Sequence, residues 1–177
     1  MLADGSVLVS ASIRAVTFLK FQAYAVAFYA NGLQPLSASL ERSALISEVL
    51  DGPAELTMEL RPCRETVGNH LTSAWLPKLK VRIEAHTKAP PTEKDVQQIA
   101  ELAAVVDGKK KYAYQSALTF EWSKKAHELR VSHDGKLLGV IKDADRLGRA
   151  LMSVYFDNPG NIQDDFVAGL KKNKTHP

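Results

Sequence analysis

A chain of 177 residues, 45% hydrophobic and 24% charged, is long and apolar enough to bury a core without cross-links. Its formal net charge of +3, from 23 basic and 20 acidic residues, is too small and too interspersed for a nucleic-acid-binding surface, and no zinc-finger or RNA-recognition spacing occurs. The single cysteine, Cys63, excludes an internal disulfide and reads as a small half-buried side chain, and no apolar run is long enough for a membrane span.

In chain order, residues 7–18 and 20–30 are rich in β-branched and aromatic side chains and predict two strands. Strict alternation places Arg14 on the face of Leu8, Val16 and Phe18, a guanidinium in apolar company. Asn31 to Ser37 is a loop punctuated by Gly and Pro. Residues 39–52 predict a helix with Leu40, Ala44, Leu45 and Val49 as its stripe and Gly52 as its stop. Residues 54–62 alternate, with Ala54, Leu56, Met58 and Leu60 on the apolar face of a half-buried strand.

A long helix is expected over roughly 65–86, with Leu71, Ala74, Trp75 and Leu79 inward and a kink at Pro77. Thr92 and Asp95 form a capping-box pattern ahead of a helix whose buried side is Val96, Ile99, Ala103 and Val106. A strand over 112–122 puts Tyr112, Tyr114, Leu118, Phe120 and Trp122 on one face. A hairpin over 126–141 turns at Asp134–Gly135, and in it His127 shares a face with Leu129 and Val131. A helix over 143–156, capped by Asp143, then a turn at 157–160 and a last helix from about Asn161 complete the chain. The order β-β-α-β-α-α-β-β-β-α-α predicts an α+β fold, one mainly antiparallel sheet with helices packed on it, as a single domain over residues 1–177 with frayed ends at 1–6 and 171–177.

Local motifs of catalysis are missing from the sequence. There is no phosphate loop, no dinucleotide fingerprint and no nucleophile elbow, and the N-terminus reads as neither signal nor transit peptide. The five histidines, His70, His86, His127, His133 and His176, have no metal-ligand spacing.

Two longer stretches carry a resemblance. "IRAVTFLKFQAYAVAFYA" near the start, and "GKLLGVIKDADRLGRALMSVYFDNPGNIQDDFVAGL" near the end, are similar in order and spacing to the chalcone isomerase-like superfamily. The middle, "LRPCRETVGNHLTSAWLPKL", looks most like the fungal mitochondrial branch. The resemblance implies an open-faced β-sandwich, a large antiparallel sheet backed by helices, with a ligand cleft between them. It implies that Arg14 reaches the cleft and, with Tyr24 on the next strand, pairs with a ligand carboxylate.

The chemistry suits that role. A buried guanidinium stays charged, is costly to leave unpaired, and offers a carboxylate two parallel hydrogen bonds. Val26, Phe28, Leu71, Trp75, Leu151 and Val154 are then expected along the hydrophobic tail. Ser153 stands where the isomerases carry another Thr or Ser.

Tyr24 replaces a catalytic Thr of the isomerases, and "ETVGNHLTSAWLPKL" has no Tyr–Asn pair at the required spacing. The expectation is therefore a non-catalytic, monomeric carrier of a fatty acid or similar carboxylate, without cofactor, nucleic acid or membrane span. Two alternatives follow from the same resemblance: a haem-binding protein using His70 as iron ligand, and a chalcone-flavanone isomerase. A mitochondrial or plastid location is implied by the relatives alone.

Overall fold

In a computed structural model that describes residues 5–16, 21–33, 40–73, 75–156 and 161–172, the alternating segments pair into one antiparallel sheet. Its early strands are β1 (Ser6–Val16), β2 (Phe21–Asn31) and β3 (Glu55–Pro62). A two-residue pair, β4 (Thr66–Val67) and β5 (Lys111–Tyr112), stands apart, and β6 (Leu118–Ser123), β7 (Glu128–His133) and β8 (Lys136–Lys142) complete the sheet in the order β1-β2-β3-β6-β7-β8. The helices are α1 (Arg42–Asp51), α2 (Gly68–Thr72), α3 (Leu79–Thr87), α4 (Glu93–Val106), α5 (Asp145–Phe156) and α6 (Asn161–Lys172). The fold is α+β, and the sheet is not closed.

Register explains where the core sits. Val26 is opposite Leu60, which is opposite Leu118; Phe28, Met58, Phe120 and Val131 form the next file; Leu56, Trp122, Leu129 and Ile141 form a third. All of these are buried, so the inner face is a continuous apolar floor for the helices. The opposite face carries polar files such as Glu59–Thr119–Ser132. Asp134 and Gly135 both have positive φ, 49° and 76°, the left-handed pair that a two-residue hairpin turn requires.

Strand β1 departs from simple alternation. Leu8 pairs with Tyr29 and Ser10 with Phe28, which leaves Val9 as an extra, unpaired residue, a β-bulge. Beyond it, Ser10, Ser12 and Arg14 are registered opposite Phe28, Val26 and Tyr24. The expectation that Arg14 shares a face with Leu8 is thus overturned, because one inserted residue reverses the phase of everything after it. Phe18 and the Arg14 side chain lie outside the described residues.

The long helix expected over 65–86 is also corrected. β4 occupies its start, α2 runs five residues, Leu76–Lys78 is a 3-10 turn, and only α3 is a sustained helix. Pro77 lies inside the 3-10 turn, where its missing N–H breaks no longer ladder. The strand expected over 112–122 is likewise interrupted, leaving Tyr114 62% exposed.

In α4 the capping box of Thr92 and Asp95 is present in both directions. The buried stripe is Asp95, Gln98, Ile99, Leu102 and Val106, so Val96 faces outward. Polar residues take core positions because they have partners: Asp95 meets Arg146 at 3.3 Å, and Gln98 donates to the carbonyls of Lys142 and Asp143. The Asp143 carboxylate pairs with Lys94 at 2.9 Å, and Ala144 is the residue that precedes α5. The expected turn at 157–160 lies outside the described residues.

Close packing of α5 onto the sheet depends on Gly148. A Cβ there would stand 2.5 Å from the Cδ1 and Cγ atoms of Trp122. The indole has little room to retreat, since its Nε1 donates to Asp145 at 3.3 Å and Lys124 covers its ring. Gly148→Ala is therefore expected to destabilise by about 1–3 kcal/mol from overpacking, reversing the gain of about 0.5–1 kcal/mol that Ala normally brings to a helix. Urea denaturation of the variant checks the sign.

Tyr112 joins β5 to α4. Its buried hydroxyl donates to the Val106 carbonyl, and its ring stands edge-on to His133 at 4.9 Å. Burial, reinforced by Asp107, pushes its phenol up to about 12. The folded state thus keeps a proton that the unfolded chain loses near pH 10. That contribution is complete below pH 10 and is lost as pH rises through 12. Tyr112→Phe is expected to cost about 1 kcal/mol at neutral pH. The gap between variant and wild type in denaturation should narrow between pH 10 and 12.

Candidate functional site

Register brings two of the candidate residues together: Arg14 and Tyr24 are direct partners across β1 and β2. Tyr24 is 2% exposed, and its hydroxyl lies 2.9 Å from that of Tyr155 on α5. The two rings meet edge to face at 6.3 Å. Phe28 continues the contact, 5.9 Å from Tyr155 and 4.4 Å from Phe156, and Phe156 stacks on Phe166 of α6 at 3.8 Å. A small polar pair is thereby set at the edge of an aromatic layer between β2, α5 and α6. Such hydroxyls in apolar surroundings form strong directional bonds because little water competes.

The expected tail-lining residues are all in this interior: Val26, Leu151 and Trp75 at 0% exposure, Val154 at 1%, Leu71 at 2% and Phe28 at 3%. Trp75 packs edge-on to Phe120 at 5.8 Å, and its Nε1 is a buried donor with no acceptor among the described residues.

Ser153 is fully buried and spoken for. Its hydroxyl donates to the Ala150 carbonyl at 2.8 Å, so the 3.1 Å contact with His86 Nε2 must be a bond that Ser153 accepts. His86 on α3 thus carries its proton on Nε2.

His70 is placed otherwise. It is exposed on α2, with Nδ1 3.3 Å from the Thr66 hydroxyl, and does not face the interior. The reason is the broken middle segment: five residues of helix set a different face from that of a continuous one. His127 also departs from its expected face. It precedes β7 with φ 54°, is exposed, and holds the Asp145 carboxylate at 2.5 Å.

Sequence reasoning missed Tyr155 and His86. The signal for Tyr155 was two residues beyond Ser153 in the same amphipathic helix, whose residues from Ala150 to Phe156 are all buried. His86 had no signal, since its partner is 67 positions away.

A cleft of about 530 Å³ opens at the other end of α5. Leu50, Ile83 and Trp122 give it an apolar floor, and Asp51, Lys124, His127, Asp145, Arg146 and Arg149 ring it. Arg149 grips Asp51 through two bonds of 2.6 and 2.8 Å and holds its carboxyl below the usual range. No helix among the described residues is long and apolar enough to cross a membrane.

Residues 33–164, well over half of the chain, match the sequence family described as chalcone isomerase like. The chain belongs to the chalcone isomerase-like family. Among solved structures, this chalcone isomerase-like chain is similar to the crystal structure of the Arabidopsis thaliana fatty-acid binding protein AtFAP1. The TM-score is 0.74 at 16% identity, over 99% of this chain and 93% of that one. At that identity the likeness concerns the fold alone. No curated protein matches this chalcone isomerase-like chain.

Proposed function

We propose that this protein binds a fatty acid or similar hydrophobic carboxylate between the sheet and the helices, with Arg14 and Tyr24 on the carboxylate and the aromatic layer of β2, α5 and α6 beside the tail. The observation that carries this reading is the pairing of Arg14 with Tyr24 in register, where the Tyr24 hydroxyl already meets that of Tyr155 in a buried setting. A carboxylate at that point receives charge-assisted hydrogen bonds in surroundings that exclude water. The Trp75 donor, which has no acceptor among the described residues, is consistent with an occupant that brings one. A structural neighbour described as a fatty-acid binding protein supports the ligand class.

The test is native mass spectrometry of the purified protein before and after delipidation, followed by titration with palmitate. One fatty acid per chain, displaced by denaturation and regained on titration, is the expected result. A delipidated protein that takes up no palmitate overturns the reading.

A further inference from the structure

The cleft at the N-terminal end of α5 plays no part in the proposed fatty-acid site, and it is lined by more hydrogen-bond donors than its own acceptors take up. Two arginines of α5, Arg146 and Arg149, stand about one turn apart in its wall. Arg149 spends Nε and Nη2 on the two oxygens of Asp51, at 2.6 and 2.8 Å. Arg146 spends Nη2 on Asp95 at 3.3 Å and on the Thr87 hydroxyl at 3.2 Å. Arg149 Nη1 and Arg146 Nε are left as buried donors with no acceptor among the described residues. Lys124 brings a third cation. Its ammonium caps the C-terminal end of α1, donating to the carbonyls of Gly52 at 2.6 Å and Val49 at 3.2 Å, with Nζ 4.9 Å from the centre of the Trp122 ring. Those two carbonyls account for two of its three protons.

The carboxylates of the cleft are already engaged. Asp51 gives both oxygens to Arg149, and Asp145 gives one to His127 at 2.5 Å and the other to Trp122 at 3.3 Å. Three cations thus line the cleft against two acids, and a cationic ligand meets no open carboxylate among its described residues. Like charges one turn apart on a helix repel, and a guanidinium donor buried without an acceptor is costly. An oxyanion between the two forks lowers both costs at once. Beneath the charged ring, Leu50, Ile83 and Trp122 form an apolar floor, and a volume of about 530 Å³ is that of a small-molecule site.

We infer that this cleft binds a small organic anion, a carboxylate or phosphate carried on a compact apolar body. The oxyanion takes the spare N–H groups of Arg146 and Arg149, whose planar forks suit either headgroup, and the Lys124 ammonium adds its charge. The apolar body lies on Leu50, Ile83 and Trp122.

The chain has two tryptophans, of which Trp122 lines this cleft and Trp75 does not, so their indole N–H resonances report on it separately. The experiment titrates the full chain, isotopically labelled for NMR, with naphthoate, naphthyl phosphate and the uncharged naphthamide. Naphthoate or naphthyl phosphate is expected to move the Trp122 resonance saturably while that of Trp75 stays in place, and to bind at least ~10-fold more tightly than naphthamide. The tighter of the two anions then identifies the headgroup. Arg149→Lys keeps the charge and loses the fork, and should weaken the anion by about 10-fold with little effect on naphthamide. Naphthamide binding as tightly as both anions overturns the inference and leaves an apolar groove. A Trp122 resonance that neither anion moves, or anions that move only that of Trp75, overturns it as well. The comparison of charged and uncharged probes is made on the wild-type protein, so it does not depend on a variant folding, and palmitate binding neither supports nor damages it.

Discussion

Arg14→Met is expected to abolish retention of fatty acid, weakening palmitate binding by a factor of about 100 or more. Removing one partner of a buried charge pair commonly costs about 3–5 kcal/mol, and every 1.4 kcal/mol is a factor of ten in affinity. Tyr24→Phe removes one hydrogen bond to a charged group, worth about 1.5–3 kcal/mol, so binding should weaken by about 10- to 100-fold. Tyr155→Phe should act more weakly, because its hydroxyl bears on the ligand through that of Tyr24. Fluorescence displacement on delipidated protein measures the series. An Arg14→Met protein that binds palmitate like wild type would place the carboxylate elsewhere. If the same variant had also lost several kcal/mol of stability, Arg14 would be a residue of the fold.

Gly169→Ala is expected to produce the largest loss of stability among single methyl additions. A Cβ at Gly169 on α6 would stand 1.9 Å from the carbonyl oxygen of Val9 and 3.3 Å from Ser10 Cβ. The first obstacle is backbone and cannot rotate away. The helix must lift off β1, loosening the buried Phe166, Val167 and Leu170. The net cost is expected near 3 kcal/mol, the upper end for overpacking, even though Ala is the better helix former. Denaturant melts followed by circular dichroism measure it. A neutral or stabilising outcome would mean that α6 does not sit on the bulge. Because β1 carries Arg14, palmitate binding should fall in parallel.

Most of the sheet was legible because its strands obey a two-residue period. Leu56, Met58 and Leu60 alternate with Thr57, Glu59 and Arg61 and are buried as the pattern requires. The Asp134–Gly135 turn and the Thr92–Asp95 cap were legible for a different reason, since their geometry is satisfied within a few residues. The middle segment was not. The apolar spacing of Leu71, Trp75 and Leu79 suits one helix, yet tertiary packing of Trp75 against Phe120 is met by a short helix, a 3-10 turn and a second helix. His70 went astray with it.

Of the proposed fatty-acid site, the sequence made Tyr24 and its apolar neighbours visible through the family pattern. Arg14 was visible as an anomaly, but its phase was not, because nothing in "SVLVSASIR" marks Val9 as an extra residue. The cleft around Lys124 was invisible for a topological reason. Asp51, Lys124, Asp145 and Arg149 come from three separate parts of the chain and meet only after α5 lies across the sheet.

The bulge at Val9 has one more effect. Among the described strands β1 is the outermost on its side, and Val7, Leu8 and Ile13 are about half exposed along it. A long, regular, apolar border is a template on which a second chain adds as another strand, the first step of aggregation. Val9 sits unpaired within that border, with Gly169 of α6 against its carbonyl, so an incoming strand finds two short lengths out of step with each other. The residue that sets Arg14 opposite Tyr24 thus also interrupts the border along which a second chain would add. Deleting it would expose a straight, sticky margin as well as reversing the phase of Arg14.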